Sequence, residues 1–318
     1  MSAIRVIIVN YRTPQLTARA AASALAAAAR HGQASVTVVD NSDDAAALRD
    51  LCPGCEVVSA GGNRGFAAGV NAGIRLGTEP FVALVNSDAR VEEDFLVELE
   101  RPFADPGVGA ATALLLLEER GQAGEILVNS TGNVLDASGN GMDRDWMRPL
   151  GSWSAAPDVQ GFCGGAAMLR RAALDDVGWM REDLFMYYED TELSLRLRRG
   201  GWTIRYVEAA RAWHRHGGSS GASSALFAYC NTRNRLVVAS QLPAATRARA
   251  WGRSLVRAAR GEHARVRRRA IRDALRGRMG PPPPRLAERP SQAVSVAAEP
   301  PGRRPARAGA PEGLPDDI

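Results

Sequence analysis

Three short apolar runs in the N-terminal part of the chain each stop abruptly at a cluster of polar side chains. The third run is the clearest, because residues 81–85 are followed directly by Asn86, Ser87 and Asp88. Runs rich in Val, Leu and Ile are typical of buried strands in a parallel sheet, and short polar side chains favour the turn that follows. Open α/β sheets bind ligands at the carboxyl ends of their strands. The pattern therefore predicts a sheet with one polar rim.

The other two polar clusters follow their strands in the same way. Residues 5–9 form a β-branched run that ends at Asn10 and Tyr11, and the run 36–39 ends at Asp40. A helical pattern follows each run. The chain therefore predicts an α/β fold with a doubly wound, mostly parallel sheet and right-handed crossovers. A nucleotide is the ordinary occupant of the rim of such a sheet.

Asn86 and Asp88 also have a simpler interpretation, because short polar residues cap helices. A helix is predicted to begin near residue 92, only a few residues later. For this triplet alone, capping would be the better interpretation. The agreement of three clusters at three strand ends favours a ligand-binding rim instead.

A glycine-rich turn precedes the next predicted helix. Residues 61–65 read Gly-Gly-Asn-Arg-Gly, and Phe66, Val70 and Ile74 then recur at helical spacing. The glycine spacing does not fit the dinucleotide fingerprint, which disfavours a dehydrogenase. Such a turn still lets backbone N–H groups and a helix N-terminus approach an anion.

The most distinctive passage lies further along the chain. In residues 185–193 aromatic side chains crowd against Glu189 and Asp190, and a helix is predicted to begin there. Before it, residues 129–148 are rich in Gly, Asp and Asn and predict an irregular excursion that covers the site. A strand that begins at Thr203 leads to a segment with two histidines.

Composition excludes some classes of function. The chain has 318 residues, and all 40 of its basic residues are Arg. Without lysine there is no Walker-type phosphate loop and no Schiff-base chemistry. Residues 1–240 carry 23 Arg against 28 acidic residues, whereas residues 247–278 carry 12 Arg against two. The basic charge is confined to one segment, so we predict no nucleic-acid partner for the main domain.

The same shift in composition divides the chain into three parts. Residues 1–240 are predicted to form one α/β domain, and residues 241–280 a basic helical extension with apolar residues at helical spacing. An amphipathic segment of this kind suits an anionic lipid surface; a solvated charged helix packed on the domain is the alternative. Residues 281–318 are rich in Pro, Ala and Arg and predict a disordered tail.

The sequence predicts a cytoplasmic protein. The N-terminal apolar run is too short for a secretory signal, and no run reaches the length of a membrane-spanning helix. Any contact with the inner face of the cell membrane is expected to be peripheral and to involve the basic segment 247–278.

These motifs, in this order, resemble the family 2 glycosyltransferases, and within them the bacterial rhamnosyltransferase-like branch. The resemblance covers about residues 4–238. The motifs that carry it are Val9-Asn10-Tyr11, Asp40-Asn41-Ser42, Asn63-Arg64-Gly65-Phe66-Ala67-Ala68-Gly69, Asn86-Ser87-Asp88, Phe185–Asp190, Gly201-Trp202 and Trp213-His214 with Ser219-Ser220. The resemblance implies a GT-A fold, which is Rossmann-like, and transfer of a sugar from a nucleoside diphosphate donor with inversion at the anomeric carbon.

The resemblance also implies roles for single residues. Asp40 would accept a hydrogen bond from a uracil or thymine N–H. Asp88 and His214 match the ligands of a divalent cation, Mg²⁺ or Mn²⁺, with His216 as the rival histidine. Asn86 stands where many relatives have a first Asp, which leaves one negative charge fewer beside the cation. The residues implied for donor binding are Asn10, Tyr11, Asp40, Asn63, Arg64, Gly65, Asn86 and Ser87.

Asp190 matches the catalytic base of the family. Inverting transfer needs one carboxylate to take the proton of the acceptor hydroxyl as that oxygen attacks the anomeric carbon. Glu189 is the second candidate for this role. The structural alternative is that either acid simply caps the helix.

The sugar and the acceptor follow from resemblance alone. Rhamnose from dTDP-rhamnose is the first choice, with galactofuranose, mannose or glucose, and a UDP donor, as alternatives. The acceptor is expected to be a lipid-linked glycan or a precursor of a cell-wall polysaccharide. Two other functions stay open: a nucleotide-sugar-binding protein without catalysis, and a sugar nucleotidyltransferase. The latter usually carries a glycine-rich loop after the first strand, where this chain has Asn10-Tyr11-Arg12-Thr13.

Overall fold

The computed structural model describes residues 1–152, 156–215, 224–261 and 263–287. The strands, in chain order, are β1 Ile4–Asn10, β2 Ala34–Asp40, β3 Glu56–Ser59, β4 Phe81–Val85, β5 Ala89–Val91, β6 Val108–Arg120, β7 Ile126–Ser130, β8 Asn133–Leu135, β9 Gly141–Asp143, β10 Ala166–Arg170 and β11 Thr203–His214. The α-helices are α1 Pro14–His31, α2 Ala45–Leu51, α3 Phe66–Ile74, α4 Phe95–Glu100, α5 Arg171–Val177, α6 Glu189–Arg199, α7 Ala225–Ala239, α8 Ala244–Ala259, α9 Ala264–Leu275 and α10 Pro284–Ala287.

The central sheet has nine strands, in the order β3-β2-β1-β4-β10-β6-β11-β5, with β7 beside β6. Six of them (β1, β2, β3, β4, β6 and β11) run in one direction, and β5, β7 and β10 run in the other. This arrangement confirms the predicted α/β fold with a mostly parallel sheet. It also brings the carboxyl ends of β1, β2 and β4 to one edge, since Asn10 is in register with Asp40.

Helices cover both faces of the sheet, and β1 shows why. Successive side chains of a strand point to opposite faces. Val6 and Ile8 pack with the Ala-rich face of α1 and with α4, whereas Ile7 and Val9 pack with α3, α5 and α6. The small side chains of α1 let that helix lie close to the strands. Both faces are therefore apolar, which explains the continuous hydrophobic runs of the parallel strands.

Two local details differ from the expectations. The helix predicted after Asp88 is present and begins at Phe95, but β5 lies between it and Asp88, so the alternative that Asp88 caps this helix is wrong. Residues 129–148 are also more regular than predicted, because β8 and β9 form an antiparallel hairpin. The turn of the hairpin is held by the Asp136 carboxylate, which accepts hydrogen bonds from the N–H groups of Ser138 and Asn140 at 2.7 and 2.9 Å.

The last helices pack on one another beyond the sheet. Leu236 and Ala239 of α7 contact α8 and α9, and α8 leaves Leu255 and Val256 exposed. The division at residues 240 and 280 stays a prediction. Residues 281–287 of the predicted tail include α10, and residues 288–318 lie outside the described residues. In the described part of the chain we find no helix that is both long and apolar enough to cross a bilayer.

Candidate active site

The ends of β1 and β2 form a buried polar group around Asp40. The Asp40 Oδ1 atom accepts hydrogen bonds from Asn10 Nδ2 at 2.8 Å and from the Ser42 N–H at 2.9 Å, and Oδ2 accepts one from the Asp44 N–H. Asp40 is fully buried, whereas Tyr11, which follows Asn10, is half-buried. A carboxylate offers about four acceptor positions, so Oδ2 keeps one for which the described residues supply no donor.

The glycine-rich turn before α3 is tied to this group and to the loop before α6. Asn41 Nδ2 donates to the carbonyl oxygen of Gly65 at 2.9 Å, and the Phe66 N–H donates to the carbonyl oxygen of Phe185 at 2.8 Å. Gly65 has a φ of 91°, and a Cβ added there would lie 2.2 Å from the Phe185 oxygen. Only glycine fits this position. Asn63 Oδ1 accepts the Gly65 N–H, and the Arg64 side chain is exposed.

The turn after β4 brings Asp88 against His214. Strand β5 pairs with β11 so that Ala89 is in register with His214, which places Asp88 Oδ1 3.0 Å from His214 Nε2. His214 Nδ1 lies 2.7 Å from Asn129 Oδ1. That amide oxygen only accepts hydrogen bonds, so Nδ1 donates and Nε2 faces the carboxylate. Although burial opposes the charged ring, the hydrogen bond and the charge of Asp88 raise the pKa of His214.

Asn86 and Ser87 occupy the same turn. The Asn86 N–H donates to the carbonyl oxygen of Gly165, and Ser87 Oγ lies 3.4 Å from Thr13 Oγ1. Thr13 precedes α1 and makes no side-chain cap. Ser87 therefore joins the start of α1 to the end of β4.

Asp190 lies in the first turn of α6 and is held firmly. Its Oδ2 atom accepts hydrogen bonds from Asn133 Nδ2 at 2.8 Å and from the Gly164 N–H at 3.1 Å. Its Oδ1 atom accepts the Thr191 N–H at 2.6 Å. The carboxylate is thus fixed by the β8–β9 hairpin and by the glycine turn before β10, while the residue stays partly exposed.

Glu189, its neighbour, is in a different environment. It is 8% exposed, and its Oε2 atom has no hydrogen-bond partner among the described residues. Burial, with the negative charge of Asp190, raises the pKa of Glu189 to about 8. Glu189 is therefore mainly protonated at neutral pH.

The family of this chain is established by its match to a family model. A family model described as "Glycosyltransferase like family 2" matches residues 2–239. The chain belongs to this family. It is a glycosyltransferase, and the family assignment favours this activity over the nucleotidyltransferase alternative.

Two curated proteins are similar to this glycosyltransferase in sequence. The low-salt glycan biosynthesis hexosyltransferase Agl10 of Haloferax volcanii is 24% identical over 257 residues, which cover 75% of this chain and 76% of the relative. An N-acetylglucosaminyl-diphospho-decaprenol L-rhamnosyltransferase of Mycobacterium tuberculosis is 39% identical over 62 residues, only 20% of each chain.

Solved structures confirm the GT-A fold. The mannosyltransferase PcManGT of Pyrobaculum calidifontis, solved with GDP-Man and Mn²⁺, superimposes with a TM-score of 0.54 at 15% identity, covering 86% of this chain and 80% of that one. GalNAc-T7, solved with UDP, GalNAc and Mn²⁺, gives a TM-score of 0.52 at 15% identity, covering 76% of this chain and 48% of that one. Both neighbours were thus solved with a divalent cation and a nucleotide.

The glycosyltransferase fold brings most of the predicted site residues to one region. Gly164 and Gly165 lie between Asp190 and the turn after β4, because a Cβ added to them would be 3.5 Å from Asp190 Oδ2 and 3.3 Å from Asn86 Nδ2. The donor-binding candidates at the ends of β1 and β2 are linked to this region by Gly65, which accepts a hydrogen bond from Asn41 and lies against Phe185. His216, the rival metal ligand, lies outside the described residues.

Asp143, on β9, was not among the residues predicted from the sequence. It stands opposite Asn133 in the hairpin register. Burial, with the added charge of Asp190, raises the pKa of Asp143 to about 6, although the neighbouring Ser130 and Cys163 side chains oppose this shift. A single acid in a segment predicted to be irregular carries no sequence signal of this environment.

Proposed function

We propose that this glycosyltransferase transfers a hexose, rhamnose first among the candidates, from a dTDP- or UDP-sugar to a glycan or lipid-linked acceptor, with inversion at the anomeric carbon. The observation that carries the proposal is the placement of the ordered Asp190 carboxylate beside the glycine turn that also adjoins Asn86. The acceptor oxygen attacks the anomeric carbon, its proton passes to Asp190, and the bond to the donor diphosphate breaks.

The environments of the two acids support Asp190 as the base. Asp190 accepts hydrogen bonds from Asn133, Gly164 and Thr191, and these contacts fix the position of its carboxylate. The pKa of Glu189 is raised to about 8, so this acid is mainly protonated at neutral pH. A base must be ionised before it can accept a proton. The helix N-terminus also favours negative charge in the first turn of α6.

Asp88 and His214 fit a divalent cation. With Nδ1 donating to Asn129, the neutral ring presents the lone pair of Nε2 to a carboxylate oxygen 3.0 Å away. Two acceptors at that distance need a proton or a cation between them, and a carbonyl-type oxygen behind a metal-bound histidine is the usual support. A bound cation would neutralise charge on the departing diphosphate.

We propose that diphosphate oxygens complete the coordination of that cation. The described residues contain no group of three or more His, Cys, Asp and Glu side chains that could hold a metal. Asn86, in place of a second acid, adds no charge. We therefore propose that cation and donor bind together, with the nucleoside held by Asn10, Tyr11 and Asp40.

The names of the relatives support the substrate classes. One sequence relative is a hexosyltransferase of glycan biosynthesis, and the other is a rhamnosyltransferase whose acceptor is a decaprenol diphosphate sugar. The solved mannosyltransferase carried a GDP-sugar, so GDP-mannose belongs in any donor screen. We propose a cytoplasmic protein that contacts membranes peripherally through residues 247–278, which include most of α8 and all of α9.

The test is a screen of donors with and without Mg²⁺ or Mn²⁺. We expect a dTDP- or UDP-sugar to raise the melting temperature mainly when a cation is present, since a ligand at a hundred times its Kd adds about 2.7 kcal/mol. Transfer to a lipid-linked glycan should then give a product of inverted anomeric configuration by NMR. Retention of configuration, or equal stabilisation without metal, would refute the mechanism or the metal assignment respectively.

A further inference from the structure

The loop just before α6 has an unusual backbone. Phe185 has a φ of 69° and a ψ of −61°, and the Met186 N–H donates to the carbonyl oxygen of Leu184 at 2.9 Å. These values describe a γ-turn of the rare and strained type. Tyr187 and Tyr188 also have positive φ values, of 69° and 73°. Three of four successive residues thus hold a conformation that side chains disfavour.

The sequence of the loop does not favour this conformation. Residues 182–190 contain no glycine and no proline. Strained backbone persists only where the surrounding structure determines it, and such strain is concentrated at functional sites. The residues that hold the loop must therefore be found outside it.

Two side chains of α7 hold the loop. Asn234 Nδ2 shares its two hydrogens among the carbonyl oxygens of Leu184, Met186 and Tyr187, at 3.0, 2.8 and 2.8 Å. Arg233 Nη2 donates to the same Leu184 oxygen at 2.9 Å. Asn234 and Arg233 are both fully buried, so these are interior contacts and not surface ones.

The loop connects two parts of the site. On one side the Phe185 oxygen accepts the N–H of Phe66, directly after the glycine-rich turn. On the other side Tyr188 leads into the first turn of α6 and Asp190. A shift of the loop would therefore change the position of Asp190 relative to the start of α3.

We propose that Asn234 and Arg233 are positioning residues for the transfer reaction. They hold the 184–188 loop in its strained form and so fix Asp190 against the glycine-rich turn. This inference rests on the proposed function of Asp190. It assigns neither residue a contact with substrate, because their hydrogen bonds go to backbone oxygens inside the protein.

The test compares Asn234→Asp with the wild-type protein. The substitution keeps the size of the side chain but removes both N–H donors and sets a carboxylate against three carbonyl oxygens. We expect kcat to fall about ten- to hundredfold, as small misplacements in active sites do, with the donor Kd within about twofold of the wild type. Amide hydrogen exchange of residues 184–190 should become faster.

Ser254→Ala is the matched control. Ser254 is a fully buried polar residue of α8 whose hydrogen-bond partners are Ala250 and Arg235, neither of which belongs to the loop. This variant should lose stability but keep its kcat and the exchange rates of residues 184–190. A normal kcat in folded Asn234→Asp, or an equal loss of kcat in Ser254→Ala, would overturn the proposal.

Arg233→Lys keeps the proposal testable if Asn234→Asp does not fold. Lysine keeps the charge but cannot contact Leu184 and Gly280 together, as the guanidinium does at 2.9 and 2.7 Å. We expect a smaller fall in kcat and a pH profile of unchanged shape, since the base is the same. Wild-type kcat in this variant would overturn the proposal.

The same experiments separate this inference from the function on which it rests. If Asp190→Asn keeps wild-type turnover, the base assignment fails, and the proposed positioning role fails with it even where exchange shows a looser loop. If Asp190→Asn is inactive while folded Asn234→Asp is fully active, only the positioning role fails.

Discussion

Asp190 and Glu189 are adjacent in the chain, yet their carboxyl groups have different surroundings. Asp190 is held by four hydrogen-bond donors, two of them from other elements. Glu189 is buried, and one of its oxygens has no partner among the described residues. Acid–base chemistry depends on such a difference between neighbouring groups. Sequence spacing shows only that two acids begin a helix, so the assignment of their roles needs the structure.

The pH dependence of stability should report Glu189. Its pKa is raised to about 8 from an ordinary value of 4.5, so the folded protein keeps a proton that the unfolded chain loses. This contribution is present below pH 4.5 and is lost as pH rises to 8. At pH 7, ionisation of this residue in the unfolded chain lowers the free energy of unfolding by on the order of 3 kcal/mol. Glu189→Gln should therefore show a shallower fall in unfolding free energy across this range.

Urea titrations at pH 5, 7 and 8.5 would measure the effect. Glu192→Gln is not a suitable control, because Glu192 forms an ion pair with Arg196; Glu93→Gln, at a position where the residue is exposed, is a better one. A Glu189→Gln variant with the pH slope of the wild type would show that Glu189 is ionised in the folded protein.

Gly65 should tolerate no side chain. A Cβ there would lie 2.2 Å from a backbone oxygen, at a φ of 91°. Gly61→Ala is the matched control, because its φ is 72° and nothing lies within 4 Å of the added Cβ. We expect Gly61→Ala to cost about 1 kcal/mol and Gly65→Ala about 2–4 kcal/mol. Chemical denaturation measures both, and equal costs would contradict a close approach of Gly65 to Phe185.

At the scale of elements, the strands and the polar clusters at their ends could be predicted from sequence. Short apolar runs, the polar clusters that follow them and the periodicity of α3 are local signals, and they predicted the correct elements. The β8–β9 hairpin and Asp143 could not be predicted, because three-residue strands carry almost no pattern. The contact of Asp88 with His214 depends on the register of β5 with β11, which is not local either.

The C-terminal part of the chain makes contacts that its composition did not predict. The Gly280 N–H donates to the carbonyl oxygen of Asp183, and the carbonyl oxygen of Gly280 accepts a hydrogen bond from Arg233. Leu286 of α10 packs beside Phe185 and Tyr229. The ordered chain thus continues past residue 280 and supports the loop before α6.

Two truncations test the importance of this segment. Removing residues 288–318 should leave the melting temperature and kcat nearly unchanged, because that part has the composition of a disordered tail. Removing residues 279–318 should lower both, because the contacts of Gly280 and Leu286 are lost. Thermal melting and turnover of the two proteins decide the question. Equal behaviour of both truncations would show that residues 279–287 do not support the loop.

At the scale of the whole molecule, charge and apolar exposure coincide on the last helices. Leu255 and Val256 are 56% and 71% exposed, and Leu275 is 68% exposed. They lie among the Arg side chains of residues 247–278. An isolated apolar residue at the surface is ordinary, but this combination suits an anionic lipid surface, with a solvated face as the alternative.

Vesicle binding distinguishes the two alternatives. Leu255→Ser combined with Val256→Ser should weaken binding to vesicles of anionic lipid severalfold, and salt should weaken it further. Leu51→Ser, at an exposed position on α2, is the control and should change nothing. Turnover with a soluble acceptor should be the same in all three proteins. Undiminished vesicle binding by the double variant would favour the solvated face.

The central claim is that Asp190 takes the proton of the acceptor. Asp190→Asn keeps the size of the side chain, and its amide oxygen can still accept the Thr191 N–H. Donor binding should survive, since those contacts are assigned to Asp40, Asp88 and His214. Asp88→Asn, in contrast, should weaken donor binding and turnover together.

The decisive measurement is the donor Kd and the turnover of Asp190→Asn beside those of the wild type. General-base catalysis contributes a factor of about 10² to 10⁴, equivalent to about 3–5.5 kcal/mol of barrier. We predict a loss of turnover in that range with a donor Kd close to the wild-type value. A folded Asp190→Asn protein with near-normal turnover would contradict the account.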